Sequence, residues 1–560
     1  MSLATTTVHA TFAATAARTP RAEFLFTETV TAQAYGIPAG AIRWGTAAAE
    51  IERLRRAYAA AGYGHRQPDV QRVGLLLENR PAFLFHWFAL NALGVSVVPI
   101  NSEMRSAELA YLIGHSEIAL AVSLPHRVAD LRAAAAEAGV AMPVVDIAEA
   151  EAGAPFPPPG RPAAAAGPAP GLATECALLY TSGTTGRPKG CQLSNEYFLR
   201  AGQWYAELQG ICTLKRDAER IITPLPLNHV NAMAFSAMVV LQAGGCLVQL
   251  DRFHPKTWWQ SVRESGATII HYLGVMPAML LSAPASADDR AQAVPDDKAH
   301  CVRWGFGAGV DRKNHAVFEE RFGIPLVEAW AMTETGAAAC VMANHEPRHV
   351  GTSCFGKPEA FMELRLVGED GQDVADGTPG ELLVRSAGPD PRRYFFSAYL
   401  KDAAATDEAW AGGWFHTGDM VLRNPDGSLS FVDRKKNVIR RSGENISAVE
   451  VESVLNQHPA VKASAVAATP DVVRGDEVLA CIVTHAPVPE AERATIAQSL
   501  VAHALGRLAY YKAPGYVAFV EALPLTASQK IQRGELRTLA QALPGQAHCI
   551  DTRALKKRQA

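Results

Sequence analysis

The chain has 560 residues, 48% of them apolar, and a formal net charge of −3. That length points to one large domain with a smaller one, or to several domains, and the apolar share is enough for a sizeable core. The near-zero charge excludes a nucleic-acid binder that works by bulk electrostatics, and no apolar run is long enough to span a bilayer.

The start, "MSLATTTVHATFAATAARTP", lacks the basic and apolar blocks of a secretory signal, and the end, "KKRQA", carries no peroxisomal or ER tail. The nine cysteines are scattered, with no Cys-x-x-Cys pair. This pattern fits a reducing cytosol, and neither a disulfide framework nor a zinc cluster. The expected location is cytoplasmic.

Between Arg72 and Val122 strand and helix patterns alternate. "RVGLLLE" reads as a buried strand, and Pro81 opens the helix "PAFLFHWFALNAL", which Gly94 closes. "VSVVPI" is a second strand, Ser106 caps a helix over "AELAYLI", and "IALAVS" is a third strand. Buried strands joined by helices imply a parallel, doubly wound α/β sheet. No Gly-x-Gly-x-x-Gly follows a strand, so a dinucleotide fold is not supported. From Glu149 to Pro170 the composition, "EAEAGAPFPPPGRPAAAAGPAP", predicts an exposed connector rather than core.

Next comes "LLYTSGTTGRPKGCQLS", Leu178 to Ser194. An apolar strand breaks into hydroxyls, glycines and two cations, then "CQLS" reads as another short strand. Glycines let backbone N–H groups approach an anion, and Thr181, Ser182, Thr184, Thr185 and Lys189 add donors and charge. The loop is not a Walker loop, because Pro188 stands where its second glycine would be and Gly190 follows the lysine. Phosphate binding and a solvated Gly-rich hairpin both remain open at this point.

Strand and helix signals continue to about Ile324, followed by the apolar run "FGIPLVEAWAMTETG". "FMELRLVGEDGQDVADGTPGELLVRS" alternates with Gly-rich turns, as antiparallel strands do. Near Asp433 the texture changes to "FVDRKKNVIRRSGENISAVEVE". Ser447 and Glu450 form a capping box there, with Val451, Val454 and Leu455 on one helical face. The expected domains are 1–432 and 433–560, with a hinge at Asp433.

Taken together, "YTSGTTGRPKG", "PLNHVNA", "EAWAMTETG", "GGWFHTGD", "FVDRKKNVIRRSGEN" and "LPLTASQKIQR" resemble, in order, the motifs of the adenylate-forming superfamily. That superfamily includes acyl- and aryl-CoA synthetases, peptide-synthetase adenylation domains and firefly luciferase. Within it the motifs look most like crotonobetaine/carnitine–CoA ligases and neighbouring small-acid CoA ligases. The resemblance implies a large N-terminal domain of doubly wound sheets with a small β-barrel-like subdomain, and a small mobile C-terminal α+β domain.

The resemblance also implies roles. Thr181, Ser182, Gly183, Thr184, Thr185, Gly186 and Lys189 would hold the pyrophosphate side of ATP, with Thr181 also near the metal. Gly307, Ala308 and Gly309, leading to Val310 where relatives have proline, would line the adenine. Glu328, Ala329, Trp330, Ala331 and Met332 would continue that wall, with Trp330 against the base. Thr333 would reach the α-phosphate and Glu334 would coordinate Mg²⁺. Asp419 would accept from the ribose hydroxyls, and Arg434 would contact the same nucleotide.

His229 would stand between the acyl pocket, where Asn231, Ala232, Ala331 and Ala337 fall, and the thiol tunnel. A lone histidine is as readily structural. Gly443 would line the pantetheine tunnel, and Asn445 would lie near the nucleotide. Lys530 would be the lysine of the adenylation step. Three positions depart from the usual pattern: Trp330 for Tyr, Ala331 for Gly, and Gln529 for the Gly before the lysine.

The implied reaction is ATP-dependent ligation of a small carboxylic acid to coenzyme A through an acyl-adenylate, with Mg²⁺. The absence of a carrier domain after Lys530 favours free coenzyme A. Transfer to a carrier protein or an amine, or a nucleotide-binding relative without catalysis, are the alternatives. No nucleic-acid partner and no membrane span are expected, and a homodimer is compatible with the resemblance.

Overall fold

The structure is a computed structural model that describes residues 5–557 except 67–68, 161–166, 182–187, 284–295, 311, 369, 435–438, 447, 525–530 and 532. The chain divides into two compact units. The first comprises Met1–Ser102, Gly114–Leu179 and Gly190–Asp433, and the second Glu103–Ile113, Tyr180–Lys189 and Arg434–Ala560.

A seven-stranded sheet runs in the order Ala398–Tyr399, Lys189–Ser194, Glu175–Thr181, Ser96–Pro99, Arg72–Leu76, Leu120–Ser123, Val144–Asp146. The pairs from Glu175–Thr181 to Val144–Asp146 are parallel. Every residue of Arg72–Leu76 is buried, as expected of a strand covered on both faces. The helix Pro81–Ala92 begins on its proline, and Gly94 follows at φ +71°.

An eight-stranded sheet has the order Val341–Met342, Leu326–Trp330, Trp304–Ala308, Ile269–Leu273, Arg220–Thr223, Cys246–Gln249, Glu23–Thr27, Gly40–Arg43. Its interior pairs are parallel and its two outermost pairs antiparallel. A five-stranded antiparallel sheet, Cys354–Gly356, Leu429–Arg434, Phe415–Arg423, Gly380–Ser386, Met362–Val367, forms the small β subdomain.

In the second unit the strand Gly475–Thr484 is central, paired with Val461–Asp471 and Tyr516–Phe519. Its side chains alternate between two cores. Val478, Ala480 and Ile482 pack with Val451 and Leu455 of helix Ala448–Leu455 and with Leu500 and Val501 of Glu490–Leu505. Leu479 and Cys481 face Leu536 and Ala540 of helix Arg533–Ala542 and Leu543 just after it.

Two expectations need correction. Ser106 lies inside the helix Ser106–Ser116 instead of capping it, and Glu108 accepts from the backbone N–H of Arg105 at 3.0 Å. The proline-rich connector is also not wholly exposed. Phe156 is 6% exposed and stacks on Tyr58 with ring centroids 4.1 Å apart. A single aromatic flanked by prolines can enter a core when neighbouring rings offer it a face. Ser447, half of the expected capping box, lies outside the described residues, while Glu450 pairs with Lys512 at 2.9 Å. All nine cysteines are free thiols.

Candidate active site

The carboxyl ends of parallel strands are where open α/β sheets bind ligands, and residues expected to hold a nucleotide fall at such ends. Strand Trp304–Ala308 leads into Gly309, at φ +79°. The turn is drawn close to its neighbours: a Cβ at Gly307 would lie 2.4 Å from the Tyr272 carbonyl oxygen, and one at Gly274 would lie 1.7 Å from that of Gly309.

Glu328, on the adjacent strand Leu326–Trp330, locks this turn. Its carboxylate accepts from Gly309 N–H at 2.9 Å, Val310 N–H at 3.2 Å and the Tyr272 hydroxyl at 3.0 Å. Burial pushes its pKa up, against the pull of the two backbone donors.

Two residues on from Glu328, Trp330 is 6% exposed and donates its indole N–H to Asp419 Oδ2 at 2.9 Å. Asp419 is 1% exposed and sits on strand Phe415–Arg423. The pairing with Gly380–Ser386 shifts register here, from Glu381↔Met420 to Leu383↔His416. Gly418 takes φ +67°, and Thr417 Oγ1 donates to the Leu382 carbonyl at 2.7 Å and accepts from Asp419 N–H at 3.0 Å. An irregularity of this kind re-aims a side chain. The motif "HTGD" thus acts as a bulge that turns Asp419 toward the indole.

After Trp330 the chain turns through Ala331, Met332 and Thr333, all half-buried. Met332 N–H donates to Thr335 Oγ1 at 3.0 Å, and Tyr197 of helix Asn195–Ala206 donates its hydroxyl to the Thr333 carbonyl at 2.9 Å. Gly336, at φ +49°, closes the turn against the Tyr197 ring, 2.4 Å from where its Cβ would lie. Glu334 is 7% exposed and accepts the Tyr399 hydroxyl at 2.8 Å.

The fold therefore joins Glu328, Trp330 and Asp419 with the 307–310 turn, and sets Thr333 and Glu334 in the following turn. His229 is half-buried at the start of the π-helical segment Asn231–Ala237, and its carbonyl accepts from Met233 N–H at 3.1 Å. Thr181 ends one strand and Lys189 begins the next, both half-buried.

In the second unit Gly443 is exposed at φ +87°, beside Ser442 at +50°. Backbone conformation alone favours a glycine there. Ser182, Gly183, Thr184, Thr185, Gly186 and Lys530 lie outside the described residues, and only the backbone of Arg434 and Asn445 is described. Tyr197, Tyr272 and Tyr399, which hold the three segments, have no signal in the motifs.

The 307–310 turn lies at the carboxyl edge of a mostly parallel sheet with a buried carboxylate beside it, the place where α/β proteins bind ligands. The AMP-binding enzyme family matches residues 12–390, and the AMP-binding enzyme C-terminal domain matches residues 450–530. The chain belongs to the AMP-binding enzyme family.

It is 32% identical to a sulfoacetate–CoA ligase of Cupriavidus necator, over 89% of this chain and 92% of that one. It is 28% identical to a crotonobetaine/carnitine–CoA ligase of Citrobacter koseri, over 87% and 91%. The o-succinylbenzoate CoA synthetase of Bacillus subtilis shares the fold, with TM-score 0.76 and 23% identity over 94% of this chain and 98% of that one. Among the described residues no helix is long and apolar enough to cross a membrane.

Proposed function

We infer that this AMP-binding enzyme is an ATP-dependent carboxylic acid:CoA ligase. The acid's carboxylate attacks the α-phosphorus of ATP, giving acyl-adenylate and pyrophosphate. The thiol of coenzyme A then attacks the acyl carbonyl and AMP leaves. The observation that carries the nucleotide part is the union of Trp330, Asp419 and the Glu328-held turn at one sheet edge. The CoA-ligase names of the relatives support the thiol acceptor, and the same names favour a short, polar acid.

In this reading the 307–310 backbone and the Trp330 face hold the adenine, Asp419 takes the ribose hydroxyls, and Arg434 and Asn445 contact the same nucleotide. The loop from Thr181 to Lys189 holds the leaving phosphates, and Thr333 the α-phosphate. Glu334 is a buried oxygen donor, which suits Mg²⁺, an ion usually held by one or two carboxylates with phosphate oxygens and water. Among the described residues there is no cluster of three His, Cys, Asp or Glu, so the donor set fits an ion shared with a phosphate substrate. Bound there, Mg²⁺ would offset charge on the phosphate oxygens.

His229 gates the thiol, Gly443 lines its path, and Lys530 serves adenylation. The functional boundary falls at Asp433, and the protein works in the cytoplasm, alone or as a homodimer.

A panel of short carboxylic acids, scored for AMP release with and without CoA, tests the reading. CoA-dependent acyl-CoA formation with at least one acid is expected. AMP release that needs an amine or a carrier protein instead would overturn the choice of acceptor, and no ATP–pyrophosphate exchange with any acid would overturn the enzyme.

The indole N–H also makes a prediction. Trp330→Phe keeps an aromatic face but removes a hydrogen bond to a buried carboxylate, a contact of ~1.5–3 kcal/mol. The KM for ATP should rise about tenfold or more. With 2′,3′-dideoxy-ATP the variant and the parent should differ far less, because the ribose hydroxyls that Asp419 would hold are gone. An equal rise with both nucleotides would remove Asp419 from ribose binding.

A further inference from the structure

The carboxyl ends of parallel strands form the ligand side of an open α/β sheet. One side chain, Asn79, ties such ends of the two large sheets together. It follows strand Arg72–Leu76 of the seven-stranded sheet and is 3% exposed. Its Nδ2 donates to the Leu250 carbonyl at 2.7 Å and to the Leu225 carbonyl at 3.3 Å, and its Oδ1 accepts from Leu227 N–H at 2.9 Å. Leu225 and Leu250 lie just past strands Arg220–Thr223 and Cys246–Gln249 of the eight-stranded sheet, beyond the last ladder pair, Gln249↔Thr223. Two carbonyls on one side and an N–H on the other leave the amide a single orientation.

A second buried amide grips the same turn. Gln249 Nε2 donates to the Leu225 carbonyl at 2.9 Å and to the Thr223 carbonyl at 3.2 Å. Leu225 N–H in turn donates to Thr223 Oγ1 at 3.2 Å. The residues on both sides of Pro226 are thus held. The Pro226 carbonyl accepts from His229 N–H at 3.0 Å, so the clamp continues into the backbone of His229.

The chain is strained where Asn79 is aimed. Glu78 takes φ +55°, a left-handed conformation uncommon outside glycine. Such strain persists only where the surroundings over-determine it, and it gathers at functional sites. Here Tyr35 supplies the surroundings. Its hydroxyl accepts from Asn79 N–H at 3.2 Å, its carbonyl accepts from Arg80 Nη1 at 2.9 Å, and the Arg80 guanidinium lies 4.2 Å from its ring centroid.

We propose that Asn79 is a positioning residue for the thioester-forming step. With Gln249 it fixes the 225–227 turn and, through the Pro226 carbonyl, the place of His229. Among the described residues both side-chain amides bond to backbone alone, so they act through the turn and not on a substrate. This rests on the ligase reading above and on His229 standing on the path of the thiol.

The test measures the half-reactions separately on one preparation. With a chemically prepared acyl-adenylate, Asn79→Ala should lower kcat/KM for CoA by about tenfold or more, the scale of a misplaced group. ATP–pyrophosphate exchange should stay within a few-fold, which also shows that the variant is folded. Gln249→Leu should give a smaller loss of the same kind, and it carries the test if Asn79→Ala does not fold. Added to His229→Ala, Asn79→Ala should cost little more, because residues that act through one another are not additive. No loss, equal losses in both half-reactions, or losses that add fully to that of His229→Ala overturn the inference and leave the ligase reading standing. A parental thioester step in His229→Ala removes His229 from the thiol path, and this inference with it. No AMP release with any acid overturns the ligase reading itself.

Discussion

Lys530→Ala should lower ATP–pyrophosphate exchange by roughly 10²–10³, the usual cost of removing one preorganised electrostatic contact. In the adenylation step the attacking carboxylate and the triphosphate bring negative charge together at the α-phosphorus. A cation placed there lowers the barrier more than it stabilises the ground state. Lys530 lies outside the described residues, so the assignment rests on its place in "PLTASQKIQR".

The discriminating measurement separates the half-reactions. A chemically prepared acyl-adenylate, given to the variant with CoA, should become acyl-CoA at close to the parental rate, because no charge then builds on an attacked α-phosphorus. Equal losses in both half-reactions would make Lys530 structural. No loss in either would mean that the unusual Gln529 has moved the segment and another cation serves.

Glu477→Gln should destabilise the second unit by ~3–5 kcal/mol, the cost of breaking a buried ion pair from one side. Glu477 is 0% exposed and serves two buried cations. Its oxygens lie 3.0 and 2.9 Å from Arg441 Nε, and Oε1 also pairs with Lys556 Nζ and accepts from Val478 N–H at 2.9 Å. Lys556 additionally donates to the Tyr511 carbonyl at 3.2 Å. Burial and the nearby Arg441 hold the lysine amine down, to about 7.

The amide cannot balance either cation, and the strain falls on the strand Ile439–Arg441 that leads to Gly443. The last tryptophan of the chain is Trp414, so tryptophan fluorescence does not report on this region. Amide hydrogen exchange over residues 461–484 in the full-length protein does, and it should speed up. The triple variant Glu477→Leu, Arg441→Met, Lys556→Met should recover much of the loss, since a whole buried ion cluster can be replaced by apolar side chains at little cost.

The sign of the pH effect follows from the lysine. In Glu477→Gln its folded-state pKa stays below the unfolded value. Between those two values the unfolded chain binds more protons, so stability should rise with pH above about 7. Arg441 cannot shed its proton and keeps the remainder of the penalty. A single variant as stable as the parent at pH 7 would show that the cluster contributes nothing.

Much of the framework was legible in the order of residues. The strands at Arg72–Leu76 and Ser96–Pro99, the helix opened by Pro81, and the antiparallel pair Met362–Val367 and Gly380–Ser386 follow from period, proline and glycine placement. These are local rules, which a short window of sequence satisfies by itself. The class of enzyme was legible too, because its motifs are contiguous stretches in a set order.

Other features arose only when the chain was folded. Trp330 was expected as a flat face, yet its N–H reaches a carboxylate 89 residues away. Tyr399 meets Glu334 across 65 residues, and Tyr272 meets Glu328 across 56. Phe156 emerges from a stretch that composition marks as solvent-exposed and stacks on Tyr58. His271 lies in none of the motifs, and only the packing of a π-helical turn on its strand makes it a partner of Asn231. Periodicity and capping bind residues three or four positions apart, so the sequence by itself determined the elements and the enzyme class. Which polar side chain satisfies which buried group depends on strand order and on which face each helix covers, and the tertiary structure alone decided that.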